Sequence, residues 1–167
     1  MANQQSGKKI ENLAELYDRP GFLLRRCQQE TGFVFEESCA ELGLTVRQYD
    51  FLFVLSTAEA RDQDQLARLL GLDRSNTGHV VRILLRKGLV KRQINPDDKR
   101  KRLVSLTEEG KIIFKQAKPA AEAAKDYLLD LLNDEEKVDF MAMLQKIVLG
   151  NKRSDRAPLE IKATEVV

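Results

Sequence analysis

The sequence is poor in the residues from which metal centres, disulfide frameworks and many active sites are built. It contains one histidine and two cysteines, too few for a metal cluster or a network of disulfide bonds. It has no glycine-rich phosphate-binding loop, and its single histidine, His79, lies on a predicted helix surface with no evident nucleophile beside it. These shortages argue against an enzyme and predict that the protein uses no metal or other cofactor.

Long apolar runs are also missing. No stretch approaches the ~20 apolar residues that a membrane-spanning helix needs, and no secretory signal pattern opens the chain. We therefore expect a cytoplasmic protein with no membrane partner. The chain has 167 residues, of which 43% are hydrophobic and 32% are charged, a composition that predicts one domain with one ordinary core.

Positive charge, by contrast, is plentiful and concentrated. The whole chain carries a formal net charge of only +2. Residues 86–102 alone contain eight Lys or Arg against two Asp, an excess of six positive charges. The remainder of the chain is therefore net negative, and the basic segment is where the backbone of a nucleic-acid duplex would lie.

Two short predicted helices precede this segment with the spacing of a helix-turn-helix. Residues 62–71 carry Leu66 and two further leucines at i+3 and i+4 on one helical face, and they end at a glycine. Asp73 can then cap a second helix by accepting a hydrogen bond from a free backbone N–H, and Gly88 can end it. The inner side of this second helix is formed by Val80, Val81, Ile83 and Leu84. Its outer side is small and polar, as in a recognition helix.

A basic β-hairpin is predicted next. Residues 89–94 and 102–106 are β-branched or alternating runs. The Asn-Pro-Asp between them is a turn signal, because proline presets φ and the Asn and Asp side chains bond their own backbone. The predicted tip carries Lys99, Arg100 and Lys101. Two helices followed by such a hairpin predict a winged helix-turn-helix over about residues 45–107.

Longer helices are predicted on both sides of the winged region. The first runs from about residue 20 to 43 and begins at Pro20, which suits a first helical position. Thr45 and Gln48 form a predicted capping box, which opens a central helix that is apolar on nearly every side.

After the wing, a helix is predicted over 108–132, in which Pro119 should cause a kink or a break. Asn133 can cap a last helix that ends near Gly150. The predicted organisation is a flexible arm at 1–19, a domain at 20–150 and a C-terminal tail at 151–167.

The flanking helices, at about 20–43 and 108–150, carry more apolar surface than one winged lobe can cover. The residues that need burial include Phe22, Phe33, Leu128, Leu131, Leu132 and Phe140. A twofold homodimer with interlocking terminal helices would bury them. It would also hold two recognition helices on the order of 34 Å apart, which predicts a near-palindromic binding site. The alternative is a monomer with a larger helical core.

Four segments of the winged region resemble the MarR family of bacterial transcription regulators. They are Leu72-Asp-Arg-Ser-Asn-Thr, Leu84-Leu-Arg-Lys-Gly-Leu-Val-Lys-Arg, Asn95-Pro-Asp-Asp-Lys-Arg and Val104-Ser-Leu-Thr-Glu-Glu-Gly, and a weaker likeness extends over about residues 20–150. The resemblance implies a mainly α-helical fold with a small β-hairpin wing, in which dimerisation helices flank the winged lobe. It also implies a homodimeric, sequence-specific regulator, most often a repressor, that binds double-stranded DNA.

The resemblance further implies roles for individual residues. In that family an arginine of the wing enters the minor groove and an Asp two residues earlier buttresses it; Arg100 and Asp98 match this pair. Lys99 replaces the usual second arginine, and Gly78 and His79 stand where the family often has Thr and Arg. The candidates for contacts near base edges are Ser75, Asn76, Thr77, His79 and Arg82, with Arg74 as a further DNA-binding residue of the same helix. Those for the DNA backbone and minor groove are Lys99, Arg100 and Lys101.

Regulators of this family usually respond to a small effector, often an aromatic or phenolic acid or its thioester, bound between the dimer helices and the DNA lobe. Here that region offers Phe33, Tyr49 and Phe53, with Arg25 or Arg26 to hold a carboxylate. The alternative is that the aromatic residues belong to the core and the arginines to the solvated surface.

Two other functions fit parts of the pattern. Some relatives sense hydroperoxides through a cysteine, and Cys27 and Cys39 lie in the same predicted helix; they are 12 positions apart, or about 18 Å on a straight helix. That exceeds the ~7 Å limit for a disulfide bond within one chain, although a dimer can pair cysteines of two chains. The alternative is that both are inert core thiols. A winged-helix module for protein–protein interaction is the other function, but it would not need the concentrated charge of the wing.

Overall fold

The computed structural model describes residues 13–150, and its elements follow the predicted order. A helical segment at residues 13–17 is α1. The others are α2 (Pro20–Ser38), a 3₁₀ turn (Ala40–Leu42), α3 (Val46–Ser56), β1 (Arg61–Asp62), α4 (Gln63–Leu70), α5 (Arg74–Arg86), β2 (Val90–Ile94), β3 (Arg102–Leu106), α6 (Glu108–Leu129) and α7 (Asp134–Gly150). The fold is therefore mainly α-helical with a small β wing, as predicted. The predicted tail at 151–167 lies outside the described residues.

Helix α3 forms the centre of the fold, as its apolar composition predicts. Phe51 and Leu52 are fully buried, and the helix packs against α2, α4, α5, α6 and β3. Because α3 contacts both the long helices and the helix-turn-helix, it sets the position of the winged lobe relative to α2 and α6.

The wing belongs to a three-stranded antiparallel sheet with the strand order β1-β3-β2. Strands β2 and β3 pair from Val90 opposite Leu106 to Ile94 opposite Arg102. The two-residue strand β1 was not predicted, because two residues carry no periodic signal. Since β1 pairs with β3 and leads directly into α4, it connects the wing to the helix-turn-helix.

Several helix bounds differ from the prediction. Residues 13–17 are helical where a flexible arm was predicted. Helix α2 ends at Ser38, and a 3₁₀ turn follows before Gly43 adopts a left-handed conformation with φ of 58°. Helix α6 continues through Pro119. Pro119 is exposed, so the helix loses one hydrogen bond on its outer side while the buried alanines of its inner side hold it against the core.

The helix caps confirm most of the predictions and correct one. Asn133 and Glu136 cap α7 reciprocally, with N–H···O distances of 2.8 and 3.0 Å. Thr45 caps α3 by accepting from the backbone N–H of Gln48 at 3.3 Å. The Gln48 side chain, however, does not complete the predicted capping box, because its Oε1 accepts a hydrogen bond from Lys87 Nζ at 2.8 Å. The side-chain oxygen of Gln48 is therefore bonded to a residue that is distant in sequence.

The flanking helices leave much apolar surface uncovered within the single chain. No residue of α7 is buried. The apolar side chains of this helix, which include Val138, Met141, Leu144, Ile147 and Val148, are exposed or half-buried. Leu131 is 93% exposed and Phe33 is 68% exposed. Among residues 13–150 no element covers this face of α7, so its burial would require a further partner such as a second chain.

Candidate nucleic-acid interface

The two helices of the helix-turn-helix are held by local caps. Asp62 caps α4 through a reciprocal pair of hydrogen bonds with Gln65, at 2.8 and 2.9 Å. Gly71 ends α4 in a left-handed conformation with φ of 60°. Asp73 then starts α5 by accepting from the backbone N–H of Asn76 at 2.8 Å. The short turn between Gly71 and Asp73 sets α5 at a fixed angle to α4, which is how this motif presents its second helix.

The outer face of α5 is polar and open to solvent. The exposed residues are Arg74, Ser75, Asn76, His79 and Arg82, five of the six predicted on this helix. Arg74 forms an ion pair with Asp64 of α4 at 3.0 Å. Asn76 Nδ2 donates to Asp73 Oδ2 at 2.5 Å, so its amide supports the cap. The other exposed polar side chains of this face are Ser75, His79 and Arg82.

The sixth residue predicted on this helix is Thr77, and the prediction that it contacts base edges is wrong. It is fully buried, and its Oγ1 donates to the Asp73 carbonyl at 2.9 Å. A base edge cannot reach it. The signal was present in the sequence, because Thr77 precedes Val80, Val81 and Leu84 by three, four and seven positions and therefore shares their inner face.

The wing tip is shaped by its own Asx side chains. Asn95 Oδ1 accepts from the backbone N–H of Asp97 at 2.9 Å. Asp98 Oδ1 accepts from the backbone N–H of Arg100 at 3.1 Å and from its Nε at 3.3 Å. The contact between Asp98 and Arg100 that the family resemblance implied is therefore present. Because the Arg100 side chain is 93% exposed, its guanidinium remains free to meet a groove or a phosphate.

Lys101, which was predicted to contact DNA, has a structural contact within the chain. Its Nζ lies 3.0 Å from Oδ2 of Asp62, the residue that caps α4. Burial alone would raise the pKa of Asp62, but the backbone N–H of Gln65 and the ammonium of Lys101 outweigh it and hold the pKa below its ordinary value. Lys101 thus ties the wing to the start of the helix-turn-helix, whereas Lys99 stays exposed.

The five residues predicted for an effector site lie on two helices, α2 and α3. Tyr49 is a core residue whose ring lies 5.3 Å from that of Phe35 and 6.4 Å from that of Phe53. Phe33 is exposed on α2. The arginines have local partners: Arg25 lies 5.2 Å over the ring of Phe22, and Arg26 pairs with Glu30 at 3.3 Å. Within the single chain these residues lie in the core or on the surface of α2 and α3, and their role in an effector site stays a prediction.

A cavity of about 720 Å³ opens elsewhere, beneath the wing. It lies where the C-terminal end of α3 and the following turn meet β2, β3 and the first turns of α6. Its lining includes Leu55, Lys91, Ser105, Lys111, Phe114 and Lys115. Sequence-based prediction missed this cavity because these residues come from four separate segments, and no periodic pattern connects them.

The cysteines give no support to a redox centre within one chain. Cys39 is buried, and burial raises the pKa of its thiol, which disfavours the reactive thiolate. Cys27 is half-buried on α2, and both thiols are free.

Metal-binding and membrane-spanning features were also sought in residues 13–150. No group of three or more His, Cys, Asp or Glu side chains in this range could hold a metal ion. Over the same range, no helix combines the length and the apolar character needed to cross a membrane.

The chain matches known proteins over the winged lobe and beyond it. Residues 44–101 match the family model described as "MarR family". The HTH-type transcriptional repressor NicR of Pseudomonas putida is 26% identical over 134 residues, which cover 80% of this chain and 85% of NicR.

Solved structures extend the likeness to the flanking helices. A MarR-family transcriptional regulator from a Rhodococcus species is 30% identical with a TM-score of 0.68, and 78% of this chain and 93% of that one are covered. CouR of Rhodococcus jostii, bound to p-coumaroyl-CoA, is 32% identical with a TM-score of 0.68, over 79% of this chain and 93% of CouR. CouR bound to a 23-mer DNA duplex is similar with a TM-score of 0.72 and 29% identity, over 80% and 94% of the two chains.

Proposed function

The chain belongs to the MarR family of transcription regulators, and from this premise we propose that it is a homodimeric repressor. It binds a near-palindromic operator in double-stranded DNA and is released from it by a small aromatic or phenolic acid, or the thioester of one. The observation that carries the proposal is the exposure of two polar features, the outer face of α5 and the tip of the wing, around the most basic segment of the chain.

Helix α5 would read the major groove. Ser75 and His79 can exchange hydrogen bonds with base edges, and Arg82 can make a two-point contact with guanine. Arg74 and Asn76 lie in the first turn, where they would approach phosphates. Gly78 and His79 differ from the residues that the family often has at these positions, so the operator of this chain should differ at the bases they face.

The wing would bind beside the major groove. Arg100 would enter the minor groove with Asp98 holding its Nε, and Lys99 would contact phosphates. Lys101 acts indirectly in this proposal, because it holds the wing against Asp62 and so sets the position from which Arg100 reaches the DNA.

The homodimer would form through the flanking helices. Its support is the apolar surface that the single chain leaves exposed, including Phe33, Leu131, Val138 and Ile147. A soluble monomer rarely exposes a large contiguous apolar patch, and a twofold axis through these helices would bury it and pair the two winged lobes.

Release by an effector would be a shift between two arrangements of the dimer. The complex of CouR with p-coumaroyl-CoA supports an aromatic acid or thioester as the effector class for this chain. The effector would bind more tightly to a dimer whose recognition helices are misspaced for the groove, and a coupling of a few kcal/mol is sufficient.

The test is binding of the purified chain to the DNA upstream of its own gene, measured by fluorescence anisotropy between about 50 and about 200 mM salt. We expect affinity to fall steeply and log-linearly with salt, as counterion release requires. Arg100→Ala should weaken binding by about 1–3 kcal/mol and make the salt dependence shallower. Lys125→Ala, which removes one positive charge from α6, is the matched control and should bind like the parent.

Equal binding of the parent and Arg100→Ala would show that the role of the wing is wrong. Absence of any salt-dependent binding to duplex DNA would overturn the repressor itself and favour a protein-interaction module.

A further inference from the structure

We propose that Lys87 is a positioning residue, which ties the C-terminal end of the recognition helix α5 to the connection between α2 and α3. Through this tie it sets the half-site spacing that the dimer accepts in its operator. Lys87 counts toward the basic segment 86–102, but its charge acts within the chain and not on DNA. The inference rests on the proposed dimeric repressor and names the contact that fixes the direction of α5 relative to the flanking helices.

The Lys87 side chain meets two acceptors that lie 44 and 39 positions earlier in the chain. Its Nζ donates to the backbone carbonyl of Gly43, the residue that ends the 3₁₀ turn after α2. It also donates to Oε1 of Gln48, in the first turn of α3, at 2.8 Å. Gln48 is buried, and a hydrogen bond from a charged donor is stronger than one between neutral groups. These two bonds therefore hold the end of α5 against the α2–α3 connection.

The start of α6 holds the same end of α5. Thr107 Oγ1 donates to the carbonyl of Gly88 at 2.7 Å, and the backbone N–H of Thr107 donates to the carbonyl of Leu89 at 3.1 Å. Gly110 packs so closely that a Cβ there would lie 1.9 Å from the Leu89 carbonyl oxygen, an approach that only glycine allows. Residues 87–89, called here the α5 junction, are therefore fixed both to the α2–α3 connection and to α6.

The α5 junction lies at the opposite end of α5 from the first turn, where DNA contacts are proposed. Ser75 precedes Lys87 by 12 positions, which is about 18 Å along the helix axis. A rotation of about 10° at the junction would displace the first turn by about 3 Å, close to the rise of about 3.4 Å between base pairs. In a twofold dimer both recognition helices would move. Because α2 and α6 are flanking helices of the proposed dimer, a rigid junction converts the geometry of the dimer into one half-site spacing.

Fluorescence anisotropy of the full chain with three duplexes tests the proposal. They are the operator that the parent binds most tightly and two versions of it, with one base pair inserted or removed at the centre. The parent should prefer the first duplex, because its recognition helices are held at one spacing. Lys87→Met removes the ammonium and keeps the apolar stem, so the preference should fall by about fivefold, the ratio that one net hydrogen bond represents. Gln48→Met removes an acceptor without changing the net charge and should lower the preference in the same way.

Two further variants separate the tie from the charge. Arg86→Met is the matched control, because it removes the neighbouring exposed charge and leaves the tie intact. It should keep the parent's preference among the three duplexes, whatever it does to the affinity. Lys87→Arg retains a charged donor and should keep most of the preference. The salt dependence of Lys87→Met should equal that of the parent, since no phosphate contact is lost.

Three results would each overturn the proposal. A parent that binds all three duplexes equally would show that α5 is not held at one spacing. If Lys87→Met weakened all three equally and made the salt dependence shallower, Lys87 would be a phosphate contact. A preference unchanged in Gln48→Met would show that its bond to Lys87 does not position α5. A general loss of stability cannot imitate the expected result, because it lowers the folded fraction equally for every duplex.

Failure of the two proposals can be told apart. A parent that binds the operator, with Lys87→Met keeping its preference, overturns the positioning role and leaves the repressor intact. A parent that binds no duplex DNA overturns the repressor, and the tie is then measured by urea unfolding. Lys87→Met should lower the equilibrium constant for folding by about fivefold, and Gln48→Met should add little to it in the double variant. Additive losses would overturn the tie itself.

Discussion

The winged lobe and the flanking helices bury their apolar residues in different ways. In the lobe Leu66, Val81, Leu84 and Val104 are fully buried by other parts of the same chain. On the C-terminal side Leu131 is 93% exposed and α7 has no buried residue. The lobe therefore completes its own core, whereas the flanking helices expose a surface that a second chain would cover. We infer that contacts within the single chain stabilise the lobe, and that the dimer sets the distance between the two lobes.

The largest expected effect comes from opening the core of the lobe. Leu66→Ala should lower the free energy of unfolding by about 2–5 kcal/mol, because it leaves a cavity in a fully packed site. The loss should be the same at every protein concentration in urea unfolding. Leu131→Ala is the matched control, since its side chain is covered only in the dimer, so its effect should shrink as the protein is diluted. A loss for Leu131→Ala that is independent of concentration would contradict the difference between the regions.

A charge on the exposed face of α7 should separate the two chains. Ile147→Glu would bury an unpaired carboxylate in the dimer and should weaken association by at least about 2 kcal/mol, while far-UV circular dichroism stays like that of the parent. Sedimentation velocity would measure the dissociation. Lys146→Glu, which lies about 100° around the helix from Ile147, should remain dimeric. A dimer unaffected by Ile147→Glu would show that this face is not the interface.

The tie between the wing and the helix-turn-helix should give a smaller and pH-dependent effect. Asp62→Asn keeps a capping side chain but loses the charge that Lys101 meets, so we expect a loss of about 1 kcal/mol near neutral pH. The pKa of Asp62 is lower in the folded chain than its ordinary value, so its charged form stabilises the fold. That stabilisation is complete above the unfolded pKa of about 3.9 and disappears as the pH falls through the folded pKa.

The parent and Asp62→Asn should accordingly differ in urea unfolding at pH 7 and converge in acid. Lys101→Gln should reproduce most of the loss at pH 7 and add little to Asp62→Asn in the double variant. Additive losses would mean that the two side chains act independently.

The smallest expected effect is that of the thiols. Hydrogen peroxide should leave operator binding by the parent unchanged, and Cys27→Ser should behave identically in the same anisotropy measurement. A peroxide response that disappears in Cys27→Ser would restore the redox sensor, with cysteines of two chains as its reactive pair.

The sequence predicted the helix-turn-helix well because its signals are local. Asp73 caps α5 through a residue three positions away, and Gly71 ends α4 by its own conformational freedom. Thr77 is a residue for which the sequence-based prediction failed although a signal existed. Its residue type suggested a DNA contact, whereas its helical spacing assigned it to the core. The role of Tyr49 stays a prediction, because an aromatic residue on a helix suits a core and a pocket equally well.

By itself, the sequence determined the order of the elements, the caps, the basic wing and the apolar excess of the flanking helices. Each of these depends on residues within about one helical turn or one hairpin, so backbone geometry alone relates them. Tertiary structure alone decided that Gln48 accepts from Lys87 and that Lys101 holds Asp62, both across 39 positions. It also decided that Ser105 and three lysines line one cavity. Such partners are chosen by how α3, the wing and α6 pack together, and no spacing along the chain encodes that choice.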